Sequence, residues 1–234
     1  MIQSIQNIKR DSISETIASL VDNFPNEVVF STSFGIEDQV LTDMIAKIGQ
    51  GVEIFTLDTG RLFQETYSTW NSTLSKYDIK IKSYFPQTAS AQNLVRTKGP
   101  NSFYESVENR KECCFIRKVE PLKRAIAGKK IWITGIRSEQ SMDRHLSDSF
   151  EWDEANQIIK YHPILDWTFE QVQDYVKQNN VPYNPLHDKG FVSIGCLPCT
   201  RAIKPGEDFR SGRWWWEDST KKECGLHVHE EKLS

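Results

Sequence analysis

Val28-Val29-Phe30-Ser31-Thr32-Ser33-Phe34-Gly35-Ile36-Glu37-Asp38 reads as a short apolar strand, a hydroxyl-rich loop and the opening of a helix. The β-branched and aromatic run favours a buried strand, and the apolar spacing from Ile36 to Ile48 is helical, with Gly49 as its stop. The same unit recurs downstream. Val52 to Leu57 is strand-like, Asp58-Thr59-Gly60 makes a turn, a helical stretch runs to about Tyr77, and Ile79 to Phe85 closes at Pro86. Strands alternating with helices predict a parallel sheet covered by helices, a single α/β domain.

Around this centre, Ser12 and Glu15 have the spacing of a capping box for a first helix over 12–23. Residues 88–128 read as helical apart from the Lys98-Gly99-Pro100-Asn101 break, so Cys113 and Cys114 fall on a helix. Lys130 to Ile136 is the next strand, and the polar stretch 137–148 follows its C-terminal end, where open α/β sheets place ligands. Residues 150–163 look like an irregular β excursion, and Thr168 with Gln171 caps a last helix to Asn179. Residues 200–234 are charged and read as a mobile C-terminal tail, dividing the chain into 1–199 and 200–234.

The 234 residues carry a net charge of −3, which argues against a general nucleic-acid binder. No stretch approaches the roughly 20 apolar residues of a membrane helix. The N-terminus lacks the pattern of a secretory signal, so the expected location is the cytoplasm, where thiols stay reduced.

Five cysteines are unevenly placed: Cys113 and Cys114 adjacent, Cys196 and Cys199 as a CxxC, and Cys224 alone. Either pair alone fits small buried hydrophobes. Two pairs in one cytoplasmic chain, the second in Gly195-Cys196-Leu197-Pro198-Cys199, point to a metal centre, and both zinc and an iron-sulfur cluster suit four thiolates. Neighbouring helical residues point about 100° apart, awkward for one tetrahedral ion and workable for separated irons. Cys224 lies in Glu223-Cys224-Gly225-Leu226-His227, where His227 offers a proton or a positive partner to a thiolate nucleophile.

The loop with Ser31, Ser33 and Gly35 opens a helix and offers a local anion site. Arg117 and Lys118 follow the cysteine pair, Arg137 and Arg144 flank the loop after the fourth strand, and Arg210 and Arg213 precede three tryptophans. Guanidinium groups match phosphate and sulfate oxygens.

These segments, with Leu57-Asp58-Thr59-Gly60-Arg61, Cys113-Cys114-Phe115-Ile116-Arg117-Lys118 and Tyr183-Asn184-Pro185-Leu186-His187-Asp188, resemble the assimilatory APS/PAPS reductases, of the adenine-nucleotide alpha-hydrolase-like fold. The likeness runs from residue 28 to 229. It implies thioredoxin-dependent reduction of adenosine 5′-phosphosulfate (APS) to sulfite and AMP in sulfate assimilation and cysteine biosynthesis, with Cys224 forming a thiosulfonate and His227 beside it. It also implies one 4Fe-4S cluster per subunit on Cys113, Cys114, Cys196 and Cys199. Lys118, Arg144, Arg210 and Arg213 would contact the sulfate and phosphate, Leu57 and Thr59 the adenosine, in a homo-oligomer. The Arg144 role has Arg137 as its rival. Alternatives are a 3′-phosphoadenylylsulfate (PAPS) or dual-specificity reductase, a zinc-stabilised ATP-pyrophosphatase-like nucleotide-binding protein, and a redox-sensing interaction protein.

Overall fold

A computed structural model describes residues 10–140 and 148–217, with Ile5 and Ile8. Its centre is a six-stranded sheet: β1 (Val28–Ser31), β2 (Val52–Leu57), β3 (Ile81–Tyr84), β4 (Ile131–Ile133), β5 (Phe150–Asp153) and β6 (Ile158–Tyr161), in the order β3-β2-β1-β4-β6-β5. All pairings are parallel except β5 with β6. Strand order reverses between β1 and β4, so their C-terminal ends diverge into a crevice. The fold is the expected α/β class.

The helices are α1 (Ile13–Asn23), α2 (Ile36–Ile48), α3 (Gln64–Lys76), α4 (Thr88–Lys98), α5 (Val107–Cys114), α6 (Glu120–Ile126) and α7 (Phe169–Gln178). Ser12 caps α1 by accepting from Glu15 N, and Thr168 and Gln171 form a complete capping box on α7. The main core packs Val28, Phe30, Ile54, Ile131, Ile133 and Ile159 of the sheet against Ile17, Leu20, Val40, Leu41 and Val172 of α1, α2 and α7. A second cluster joins Val29, Phe55 and Trp132 on the other face to Leu122, Ala125 and Ile126 of α6. Central strands buried on both faces read as continuous apolar runs for this reason.

Three details depart from the sequence reading. The β4 strand is shorter than read, Ile131–Ile133, although Thr134 N still donates to Tyr161 O of β6. The 150–163 excursion is a regular hairpin whose second strand joins the main sheet, pairing Ile159 with Ile131. Residues 200–217, read as the start of a mobile tail, are packed: Trp214 is buried, and Glu217 accepts two bonds from buried Arg110. No described helix is long and apolar enough to cross a membrane.

Candidate active site and cysteine centre

A cleft of about 230 Å³ opens at the C-terminal ends of β1, β2 and β4. Ser31, Ser33, Gly35, Leu57, Thr59, Lys118, Arg210 and Arg213, all read as site residues from the sequence, line it. Arg144, Cys224 and His227 lie outside the described residues. Arg137 does not line the cleft. It is buried, bonded to Glu37 at 3.0 Å and Glu139 at 2.8 Å, with the Phe169 and Phe209 rings 5.5 and 5.8 Å from its guanidinium. Its charge is thus committed to holding the Arg210 segment against the loop after β4.

The loop after β1 is tightly folded. Phe34 has φ 60°, a left-handed conformation that few L residues adopt, and its ring stacks on Trp70 at 5.3 Å. The twist brings Ser33 round to Asp38, whose Oδ2 accepts from Ser33 N at 2.6 Å and Ser33 Oγ at 2.7 Å. Burial pushes the Asp38 carboxyl up to about 6, with the Ser33 bonds opposing and Glu37 adding to the rise. Only glycine fits at 135, because a Cβ there would collide with Asp38 Oδ1. At the first turn of α2, Ile36 N donates to His187 Nε2 at 3.3 Å, and burial lowers the His187 pKa.

Beyond Lys118 and Arg213 lies a second, smaller cavity lined by all four paired cysteines, with Arg61, Arg110, Arg117 and Lys118 around them. Cys113 and Cys114 end α5 where the helix widens into a π-helical turn over Phe115–Val119, which carries Arg117 and Lys118. The CxxC segment is a 3₁₀ turn held by Leu197 N on Arg61 O at 2.8 Å, Tyr104 OH on Pro198 O at 2.7 Å and Trp214 N on Cys199 O at 3.1 Å. The Arg213 guanidinium lies against Gly195, where a Cβ would displace it.

Burial pushes the Cys199 thiol up to about 12, reinforced by Cys196 and opposed by Lys118 and Arg213. Cys113 is also raised by burial, against Arg117 and Arg61. Among the described residues, no group of three His, Cys, Asp or Glu side chains forms a site for a single metal ion. Four soft donors in one cavity fit thiolate-bound iron or zinc. Four soft thiol ligands surround one cavity among four cationic side chains, and Arg117 Nε, Arg213 Nε and Trp216 Nε1 are buried donors with no partner.

Thr134, Trp132, Ile136 and His187 also line the cleft without having been singled out as site residues. Position at a strand's C-terminal end is the signal that marks Thr134 and Ile136.

Residues 27–202 match the phosphoadenosine phosphosulfate reductase domain. The chain is 49% identical over 212 residues to an adenosine 5′-phosphosulfate reductase of Rhizobium meliloti, covering 91% of this chain and 80% of the relative. A relative of the same name from Neisseria meningitidis is 51% identical over 199 residues, covering 85% and 82%. The fold is similar to the crystal structure of a phosphoadenylyl-sulfate reductase from Candida auris in a phosphate complex, with TM-score 0.71 and 31% identity, covering 85% of this chain and 94% of that one.

Proposed function

The chain belongs to the phosphoadenosine phosphosulfate reductase domain family, and from that premise we propose that it reduces APS to sulfite and AMP, with thioredoxin as electron donor. The observation that carries this reading is the wall shared by two sites. Thr59 lines the nucleotide-sized cleft and also touches Cys196 at 3.3 Å, with Lys118 lining both cavities.

In this reading the adenosine lies against Leu57 and Thr59, the loop of Ser31, Ser33 and Gly35 holds polar groups of the nucleotide, and Lys118, Arg144, Arg210 and Arg213 bind the phosphosulfate. The Cys224 thiolate attacks the sulfur of the sulfate group, the S–O bond to the phosphate breaks, and AMP leaves with the electron pair. The enzyme keeps a Cys224 thiosulfonate. A thioredoxin thiolate then attacks Cys224 Sγ, releasing sulfite, and its second thiol resolves the mixed disulfide. Cations around the phosphosulfate stabilise charge on the departing phosphate, and His227 favours the thiolate form of Cys224.

Cys113, Cys114, Cys196 and Cys199 would hold one 4Fe-4S cluster. Fully thiolate-ligated, such a cluster supplies electrostatics and structure rather than an open iron site. Thiol chemistry of this kind belongs in the cytoplasm. Iron and acid-labile sulfide should copurify with the intact chain, and turnover on APS should exceed turnover on PAPS. A colourless, iron-free protein that binds stoichiometric zinc, or faster turnover on PAPS, would correct the reading.

A further inference from the structure

Beneath the cleft floor lies a set of charges that the proposed sulfur chemistry does not use. Thr134, one residue past β4, lines the cleft and is 2% exposed. Its Oγ1 is 2.6 Å from Nδ1 of His162, which lies one residue past β6 and is 1% exposed. Nε2 of the same ring faces Glu151 Oε2 on β5 at 3.6 Å. Glu151 is also 3.8 Å from the Lys160 ammonium, which holds Asp153 at 2.8 Å and sits over the Trp132 ring at 5.5 Å. Backbone bonds fix both ends of the contact: Thr134 N donates to Tyr161 O, and His162 N donates to Ser149 O.

A hydroxyl, an imidazole and a carboxylate in a row can activate a nucleophile. Here the carboxylate stands beyond hydrogen-bond reach of the ring, and the reacting thiol is a different residue, so the row orients rather than activates. We propose that His162 is a positioning residue which, by accepting the Thr134 hydroxyl proton, turns Thr134 Oγ1 into a fixed acceptor that selects a nucleoside donor group. The inference rests on the reading that the cleft takes an adenosine nucleotide.

The physical argument is one of hydrogen-bond direction. The Glu151 charge 3.6 Å from Nε2 attracts the ring proton to that nitrogen, which leaves Nδ1 as an acceptor. Thr134 has a single O–H, and once this is given to Nδ1 only lone pairs remain for the cleft. Adenosine offers two kinds of donor, the 6-amino group and the ribose hydroxyls. A ligand lacking that donor leaves the lone pairs of a buried oxygen unsatisfied, a situation that binding sites discriminate against strongly.

The test is equilibrium binding of AMP, IMP and the 2′- and 3′-deoxy-AMPs to the full chain, as wild type, Thr134→Val, His162→Leu, His162→Asn and the Thr134→Val/His162→Leu double variant. Binding of AMP does not depend on Cys224, thioredoxin or turnover. In the wild type, AMP should bind at least about 10-fold tighter than one of the analogues, and which one identifies base or sugar as the partner. Thr134→Val and His162→Leu should each bring that ratio to within about 3-fold, and the double variant should go no further. Asn at 162 offers Oδ1 near the place of Nδ1 and should retain the ratio. Equal wild-type binding of all the nucleotides, a ratio unmoved by His162→Leu, or additive effects of the two substitutions would overturn the proposal. If His162→Leu does not fold, a ratio that persists in Thr134→Val overturns it equally. Failure of the wild type to bind any of these nucleotides would instead overturn the reading of the cleft itself.

Discussion

Thr59 Oγ1 lies 3.3 Å from the sulfur of Cys196, while the carbonyl of the same residue accepts from Arg117 Nη1 at 2.6 Å. One residue just past β2 thereby touches the cleft, Cys196 and the π-helical turn that follows Cys113 and Cys114. Thr59→Val keeps the shape and removes the hydroxyl. AMP affinity should fall about 3- to 10-fold, the range expected for one lost hydrogen bond. If the four thiols carry a cluster, its reduction potential should also become more negative, since hydrogen bonds to ligand sulfur raise it. Calorimetric titration and potentiometry check the two effects separately.

Arg110 and Glu217 form a buried, two-pronged ion pair, both bonds 2.9 Å long, with the guanidinium over Trp214 at 4.5 Å. Removing Glu217 takes two charge-assisted bonds from a buried guanidinium. Glu217→Ala should cost about 3–5 kcal/mol in urea unfolding, whereas the double change Arg110→Met/Glu217→Leu should recover much of that loss.

The Asp38 carboxyl, raised to about 6 from an ordinary 3.8, gives stability a definite pH slope. Between those values the folded protein binds more protons than the unfolded chain. The contribution of this group is therefore fully present below pH 4 and is lost as pH rises through about 6. Asp38→Asn removes the slope, so the variant should gain on the wild type between pH 4 and 7 in urea midpoint. A difference that stays constant with pH would contradict the assignment.

Cys196 and Cys199 sit in a turn whose backbone is tied to Arg61 and Trp214. If the four thiols carry a cluster, its removal by an iron chelator should bleach the visible absorption and lower the melting temperature together. Cys196→Ser should reproduce both effects without chelator.

Much of this architecture was legible in the sequence because it is written locally. The strand Val28–Ser31, the helix Ile36–Ile48 ending at Gly49, and the capping box at Thr168 each depend on neighbours within a few residues. The cleft residues Ser31, Ser33 and Thr59 were legible because they fall where strands end, and Leu57 through the family resemblance. The hairpin of β5 and β6 was not, since its regularity comes from the pairing of Ile159 with Ile131, a contact that four-residue strands do not announce. Nor was the anchoring of residues 200–217, where a polar sequence is held by Arg110, more than a hundred residues upstream. His162 looks like any polar residue beside a proline until the sheet brings it under Thr134.

The most direct test of the central claim is anaerobic sulfite release from APS with reduced thioredoxin, comparing the wild type with Cys224→Ser. The account predicts turnover in the wild type and none in the variant, with iron content and AMP binding unchanged. Sulfite release that survives the substitution, or that never appears from iron-loaded wild type, would contradict it.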